Sequence, residues 1–215
     1  NTTYPVGNMH APRAWHTANL LSNGKVLIVG GFSWDSGLAT AELFDPTTNK
    51  FEQLGYSMAQ GRGAHTATLL KSGKILIAGG FDTDAQAIDR AEIYDPLAQK
   101  FKPLREKLNS ARAMHSAVLL NNGKVLLAGG SLKPFTPDHA IDYTPETHVG
   151  TGELYDPVED SFMKVPRSMA VPRARHQMVE TKPGTVIILG GGTWQAANQL
   201  EIFNYVDVNV SNPTN

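Results

Sequence analysis

Cysteine is absent from the 215 residues, which excludes disulfides, thiolate metal ligands and a thiol nucleophile. Long apolar runs are missing too: none approaches the roughly 20 residues that a membrane-spanning helix needs, so membrane insertion is not expected. Nor is there an excess of charge of one sign, since 19 Lys and Arg stand against 20 Asp and Glu for a formal net charge of -1. Such a chain exerts no bulk attraction on nucleic acid or on an anionic bilayer, and nucleic acid is not expected as a partner. What is plentiful is turn formers, 20 Gly and 13 Pro among 41% hydrophobic residues, the composition of a folded chain with many tight turns. The first residue is Asn1 rather than Met, which reads as a mature chain or an excised piece.

Aligning the chain on its Gly-Gly pairs exposes an internal repeat. Four similar segments appear: HTANLLSNGKVLIVGG from His16, HTATLLKSGKILIAGG from His65, HSAVLLNNGKVLLAGG from His115 and HQMVETKPGTVIILGG from His176. The first two intervals are nearly equal and the third is longer. Self-similarity at a period of about 50 is the signature of a repeat architecture. Within each unit an apolar, β-branched run leads into Asn23-Gly24, Ser72-Gly73, Asn122-Gly123 or Pro183-Gly184 and then into a second apolar run, a hairpin pattern. That second run is almost continuously apolar, as in a strand buried on both faces. A third strand follows in AELFDP, AEIYDP and GELYDP, and an aromatic residue recurs seven positions after its Phe or Tyr, at Phe51, Phe101 and Phe162, to anchor a fourth. Each unit therefore reads as a four-stranded antiparallel sheet that must stack on its neighbours to bury both faces.

The Gly-Gly pair, the Tyr-Asp-Pro step and the Arg-x-x-His before each hairpin resemble the kelch repeat over almost the whole chain. The resemblance implies an all-β fold: a single domain over residues 1–215 of four kelch β-propeller blades, at about 13–58, 62–108, 112–168 and 173–215. Residues 1–9 read as a strand from a preceding or closing blade. The fourth unit departs from the pattern at Thr185, where the others have Lys, and at Asn204-Tyr205, where the others have Asp-Pro. Its fourth strand is expected near Val208 to Val210. Kelch propellers commonly have six or seven blades, so four leaves three readings: a fragment of a longer propeller, a ring completed by another chain, or a four-bladed ring. An open array would expose apolar faces and strand edges, a ready surface for self-association.

Strand alternation puts the start of strand one and the end of strand two of every unit on one propeller face, where the loops are long and variable and binding residues concentrate. The Arg-x-x-His elements at Arg13, Arg62, Arg112 and Arg173 lie there. Because they recur in every unit, they read as blade-to-blade hydrogen-bonding elements rather than a metal site, and no cofactor is expected. Residues that do not repeat carry the functional expectation. The loop from Ser131 to Gly150 makes the third unit longer than the second, and brings Asp138, His139, Asp142, Tyr143, Glu146 and His148, groups able to hydrogen-bond a sugar, bind an oxygen-preferring cation or contact a protein, though their spacing matches no metal motif. Trp15, Trp34 and Trp194, with Phe81 and Phe135 nearby, offer aromatic surface on the same face. Arg175 adds a non-repeated cation that suits a carboxylate or phosphate. Trp15, Trp34, Asp138, His139, Asp142, Tyr143, His148, Arg175 and Trp194 are thus the candidate ligand-binding residues.

The expected function is binding of a protein or carbohydrate through this face. The alternatives are a structural protein assembling through open blade edges and part of a carbohydrate-active enzyme. Kelch-like propellers include copper radical oxidases, but these need a Tyr crosslinked to Cys, which this chain lacks. The style of the repeats resembles exported bacterial kelch proteins, so an extracytoplasmic location, secreted or periplasmic, is expected.

Overall fold

The computed structural model describes residues 5–34, 36–133, 147–192 and 200–205. The fold is all-β and its sheets are antiparallel. Blade one contains β1 (Thr17–Leu20), β2 (Val26–Val29), β5 (Ala41–Asp45) and β6 (Lys50–Gln53), with a small hairpin of β3 (Phe32–Ser33) and β4 (Ser36–Gly37) in the loop after β2. Blade two contains β7 (Thr66–Leu69), β8 (Ile75–Ala78), β9 (Ala91–Asp95) and β10 (Lys100–Pro103). Blade three contains β11 (Ser116–Leu119), β12 (Val125–Ala128), β13 (Gly152–Asp156) and β14 (Ser161–Lys164). Blade four has three described strands, β15 (Gln177–Lys182), β16 (Thr185–Leu189) and β17 (Glu201–Asn204). The strand expected near Val208 to Val210 lies outside the described residues.

The hairpins form where the turn chemistry demands. Gly24, Gly73, Gly123 and Gly184 all have positive φ; the first three follow a tight turn closed by the glycine amide, as from Gly24 to the Leu21 carbonyl at 3.0 Å, the left-handed position of a three-residue hairpin loop. At the opposite hairpin the Asp of each Asp-Pro step accepts the amide two residues on: Thr47 to Asp45 at 2.9 Å, Leu97 to Asp95 at 3.0 Å and Val158 to Asp156 at 2.9 Å. The recurring aromatics stand directly opposite one another across the third and fourth strands. Phe44 meets Phe51 with ring centroids 4.9 Å apart, Tyr94 meets Phe101 at 4.9 Å and Tyr155 meets Phe162 at 5.0 Å.

Lys25, Lys74 and Lys124 lie 3.5, 2.9 and 3.1 Å from the carboxylates of Asp45, Asp95 and Asp156. In blade four this pair has changed as a unit, because the Thr185 hydroxyl donates to the Asn204 side-chain oxygen at 3.1 Å. The two departures from the repeat are therefore one exchange, a neutral hydrogen bond in place of an ion pair.

The sheets stack face to face in an open series that does not close on itself, and the blades touch through their first strands, β1 on β7, β7 on β11 and β11 on β15. Between neighbours lie three apolar layers. Leu27, Val29 and Leu43 of blade one pack against Ile75, Ile77 and Tyr94 of blade two. Leu76, Ala78 and Ala91 meet Val125, Leu127 and Tyr155, and Leu126, Ala128 and Leu154 meet Met178, Val186 and Ile188. Each blade thus has a leading face, turned to the blade before it, and a trailing face, turned to the one after.

The first glycine of each pair fixes how closely they approach. A Cβ at Gly30 would stand 2.6 Å from the Arg62 carbonyl oxygen and 2.7 Å from Cε1 of His65, both in the next blade. Only a residue without a side chain fits there. Residues 5–9 depart from the expectation and form no strand. The chain directly after them docks as a loop, the His10 and Ala11 amides donating to the Glu42 carboxylate at 2.8 and 3.2 Å.

Candidate functional site

The Arg-x-x-His elements are part of the framework. Arg62, Arg112 and Arg173 are fully buried, and Arg13 nearly so. Each guanidinium reaches the third strand of its own blade: Arg13 to Glu42 at 2.7 Å, Arg62 to Glu92 at 3.0 Å, Arg112 to Glu153 at 2.7 Å, and Arg173 to Glu201. The other guanidinium nitrogen donates to the carbonyl of the first paired glycine, as from Arg13 to Gly30 at 2.8 Å and Arg112 to Gly129 at 2.7 Å. The Glu partners also accept amides of the incoming loop, for instance Ala59 to Glu92 at 2.9 Å and Ser110 to Glu153 at 3.0 Å. Burial alone would raise the pKa of Glu42, but the amide of His10 and the Arg13 guanidinium hold it below the usual carboxylate value. A buried ion pair whose remaining lone pairs are filled in this way is well compensated. Sequence reading passed over the glutamates. Their signal was a charged residue recurring in every AELFDP-type strand.

The histidines link blades. The Thr17 hydroxyl oxygen is hydrogen-bonded to Nε2 of His65 at 3.0 Å, and that of Thr66 to Nε2 of His115 at 2.9 Å. Burial, aided by the Arg62 charge, lowers the pKa of His65 to about 3, and burial beside Arg112 pushes His115 well below the ordinary value. His176 is lowered to about 4 by burial and Arg173. These imidazoles are neutral groups packed between sheets, and those of His65 and His115 are hydrogen-bonded to the blade before.

Between each Arg and His sits a residue that varies. Trp15, Ala64, Met114 and Arg175 occupy this position with φ of 61°, 55°, 54° and 58°, a left-handed conformation that costs a non-glycine residue on the order of 1–2 kcal/mol. An interblade row of hydrogen bonds holds them there: the amide of Ala64 donates to the Trp15 carbonyl at 2.9 Å, Met114 to Ala64 at 2.8 Å and Arg175 to Met114 at 2.8 Å. The row curls so that its ends meet. The Arg175 guanidinium lies over the Trp15 ring, 5.0 Å from its centroid, within cation–π range. Both side chains are exposed, while Met114, Phe81, Ala113 and Ala174 form an apolar floor among the same loops.

Two candidates are thereby brought together, Trp15 and Arg175. Trp34 lies at the tip of the β3–β4 hairpin, 92% exposed with φ 53°. That hairpin begins at Phe32, which pairs with Ala14 beside Trp15. His148 needs correction as a surface ligand group. Its bridge to Ser131 draws it against the Gly-Gly end of blade three, where it is buried with Nδ1 3.2 Å from the Thr147 hydroxyl oxygen. Phe81 is also buried, as floor rather than platform. Asp138, His139, Asp142, Tyr143 and Trp194 lie outside the described residues, as do Phe135 and Glu146.

Residues 17–56 and 62–107 match the family model described as Kelch motif, a span that takes in the sheets of blades one and two. No curated protein sequence matched the chain. These two segments are therefore similar to the kelch motif, which in general marks an interaction and binding module, and the Gly-Gly and Arg–Glu contacts found on their sheets recur in blades three and four.

Proposed function

We propose that the chain binds a protein or glycan on the face that carries Trp15, Arg175 and Trp34, with the Trp15–Arg175 pair at the centre of the contact. The observation that carries this reading is the stacking of Arg175 on Trp15 at 5.0 Å between the first and the last blade. The Arg and His on either side of them answer to the repeat, whereas these two side chains answer to nothing the blades share. An exposed tryptophan supplies large apolar contact area, and a stacked guanidinium supplies charge-assisted hydrogen bonding to a carboxylate. Trp and Arg are also the residue types enriched at interface hot spots. A ligand bearing a carboxylate, either an acidic peptide segment or a uronic acid, fits this chemistry best. Exposure of Trp34 on the adjoining hairpin extends the contact outward.

Screening the chain against glycan and peptide arrays tests the proposal, with Trp15→Ala, Arg175→Ala, Trp34→Ala and a deletion of residues 131–150 as comparators. Trp15→Ala and Arg175→Ala are each expected to weaken binding by about thirtyfold, the effect of a hot-spot truncation of roughly 2 kcal/mol. Binding unchanged in both would move the site to another face.

A further inference from the structure

The two terminal faces of the array are unequal and complementary. At each internal junction the trailing face contributes a notch over the first paired glycine, which the histidine of the next blade fills, and at the first two junctions that histidine also meets a hydroxyl on the first strand. Thus His65 sits at Gly30 and Thr17, and His115 at Gly79 and Thr66. Blade four keeps the notch open among the described residues, where a Cβ at Gly190 would meet no atom within 4 Å. Gln177 stands where Thr17 and Thr66 stand, exposed, with a side-chain amide able to donate to an imidazole nitrogen. Around them Val179, Leu189, Leu200 and Ile202 are 47, 41, 52 and 59% exposed, on strands whose other side is packed against blade three.

Blade one carries the opposite part. His16, the counterpart of His65, is exposed. Its Nδ1 donates to the Arg13 carbonyl at 3.1 Å, which leaves Nε2 as the acceptor of the neutral ring, the same atom that in His65 meets Thr17. Leu20 is 64% exposed, and Phe44 is only half-buried where Tyr94 and Tyr155 are sealed at 0 and 2%. The leading face thus presents an unfilled key, and the trailing face an unfilled slot.

We propose that two copies of this chain associate head to tail, the leading face of blade one in one copy docking on the trailing face of blade four in the other. His16 then enters the Gly190 notch and its Nε2 accepts from the Gln177 amide, while Leu20 and Phe44 cover the exposed aliphatic side chains of blade four. The contact is heterologous, so it closes into a ring if the blade-to-blade rotation allows and otherwise propagates.

Sedimentation velocity of the purified chain across a concentration series, with Leu189→Glu blocking the trailing face and Leu20→Glu the leading face, tests this. Circular dichroism checks that both variants keep the β fold, and both positions are solvent-facing. The wild-type chain is expected to associate and each variant alone to remain monomeric. An equimolar mixture of the two variants is expected to form a 1:1 dimer, because one intact leading face and one intact trailing face remain, and His16→Ala is expected to weaken wild-type association at least tenfold. A wild-type chain that stays monomeric throughout, or a mixture that shows no heterodimer, overturns the proposal. So does association that either variant retains alone.

Discussion

Acid should loosen this array through its interblade histidines, and His65 gives the sharpest test. In the folded chain its pKa is lowered to about 3 by burial and by the Arg62 charge, while in the unfolded chain an imidazole titrates near ~6.5. Below that value the unfolded state takes up a proton that the folded state refuses, so stability is full above pH 6.5 and falls as pH drops toward 3. At pH 5 the interval below the unfolded pKa is about 1.5 units, which at ~1.4 kcal/mol per unit makes His65 responsible for roughly 2 kcal/mol of lost stability. The figure does not depend on the folded value, because the buried ring stays neutral at pH 5 whether it titrates at 3 or a unit higher. Urea unfolding of the wild type and His65→Gln at pH 8 and pH 5, at one protein concentration, isolates this contribution. The wild type should lose about 2 kcal/mol more than the variant over that interval. Equal losses in the two proteins would refute a buried, neutral His65.

Other contacts make independent predictions. Arg62→Met leaves the Glu92 carboxylate buried without its partner and should cost about 3–5 kcal/mol, read from the shift in the urea midpoint. Gly30→Ala and Gly190→Ala share nearly the same backbone, φ 67° and 66°, and so the same left-handed penalty of about 1 kcal/mol. Only the first meets the next blade, and it should cost roughly a further 1–3 kcal/mol by thermal unfolding. Thr185→Lys with Asn204→Asp rebuilds in blade four the pair present in the other three. A double-mutant cycle should return a coupling of about 0.2–1 kcal/mol that fades as salt is added.

The strands and hairpins were readable because every signal for them is local: Asn-Gly turns, alternating or continuous apolar runs, and aromatics recurring at a fixed short spacing. The recurrence of Arg-x-x-His pointed to contacts between blades, which its histidine makes, whereas its guanidinium turns back to its own blade. Its glutamate partner was harder to see, since the whole first hairpin of the blade separates Arg13 from Glu42 and Arg112 from Glu153 along the chain. A carboxylate in a short strand reads as solvent-facing until its partner is located. Thr185 and Asn204 looked like two defects, because only the sheet brings them opposite one another. Trp15 and Arg175 were each singled out as unrepeated, yet their meeting from the first and the last blade depends on how three junctions add up, which no window of sequence contains. His148 misled for the converse reason. Its loop is rich in polar residues, but the residue that returns the chain to the sheet is the one that must be buried.

Because every unit carries a glycine slot on one flank and a histidine tongue on the other, the instruction for joining is complete within a single repeat and has a direction. Duplicating or deleting one whole unit leaves every remaining joint with a matched tongue and slot. A shift of half a unit spoils the joint on each side of it. Such a chain can change length in whole-blade steps by copying its own sequence, while the varied residue between each arginine and histidine is free to diverge without disturbing the joints.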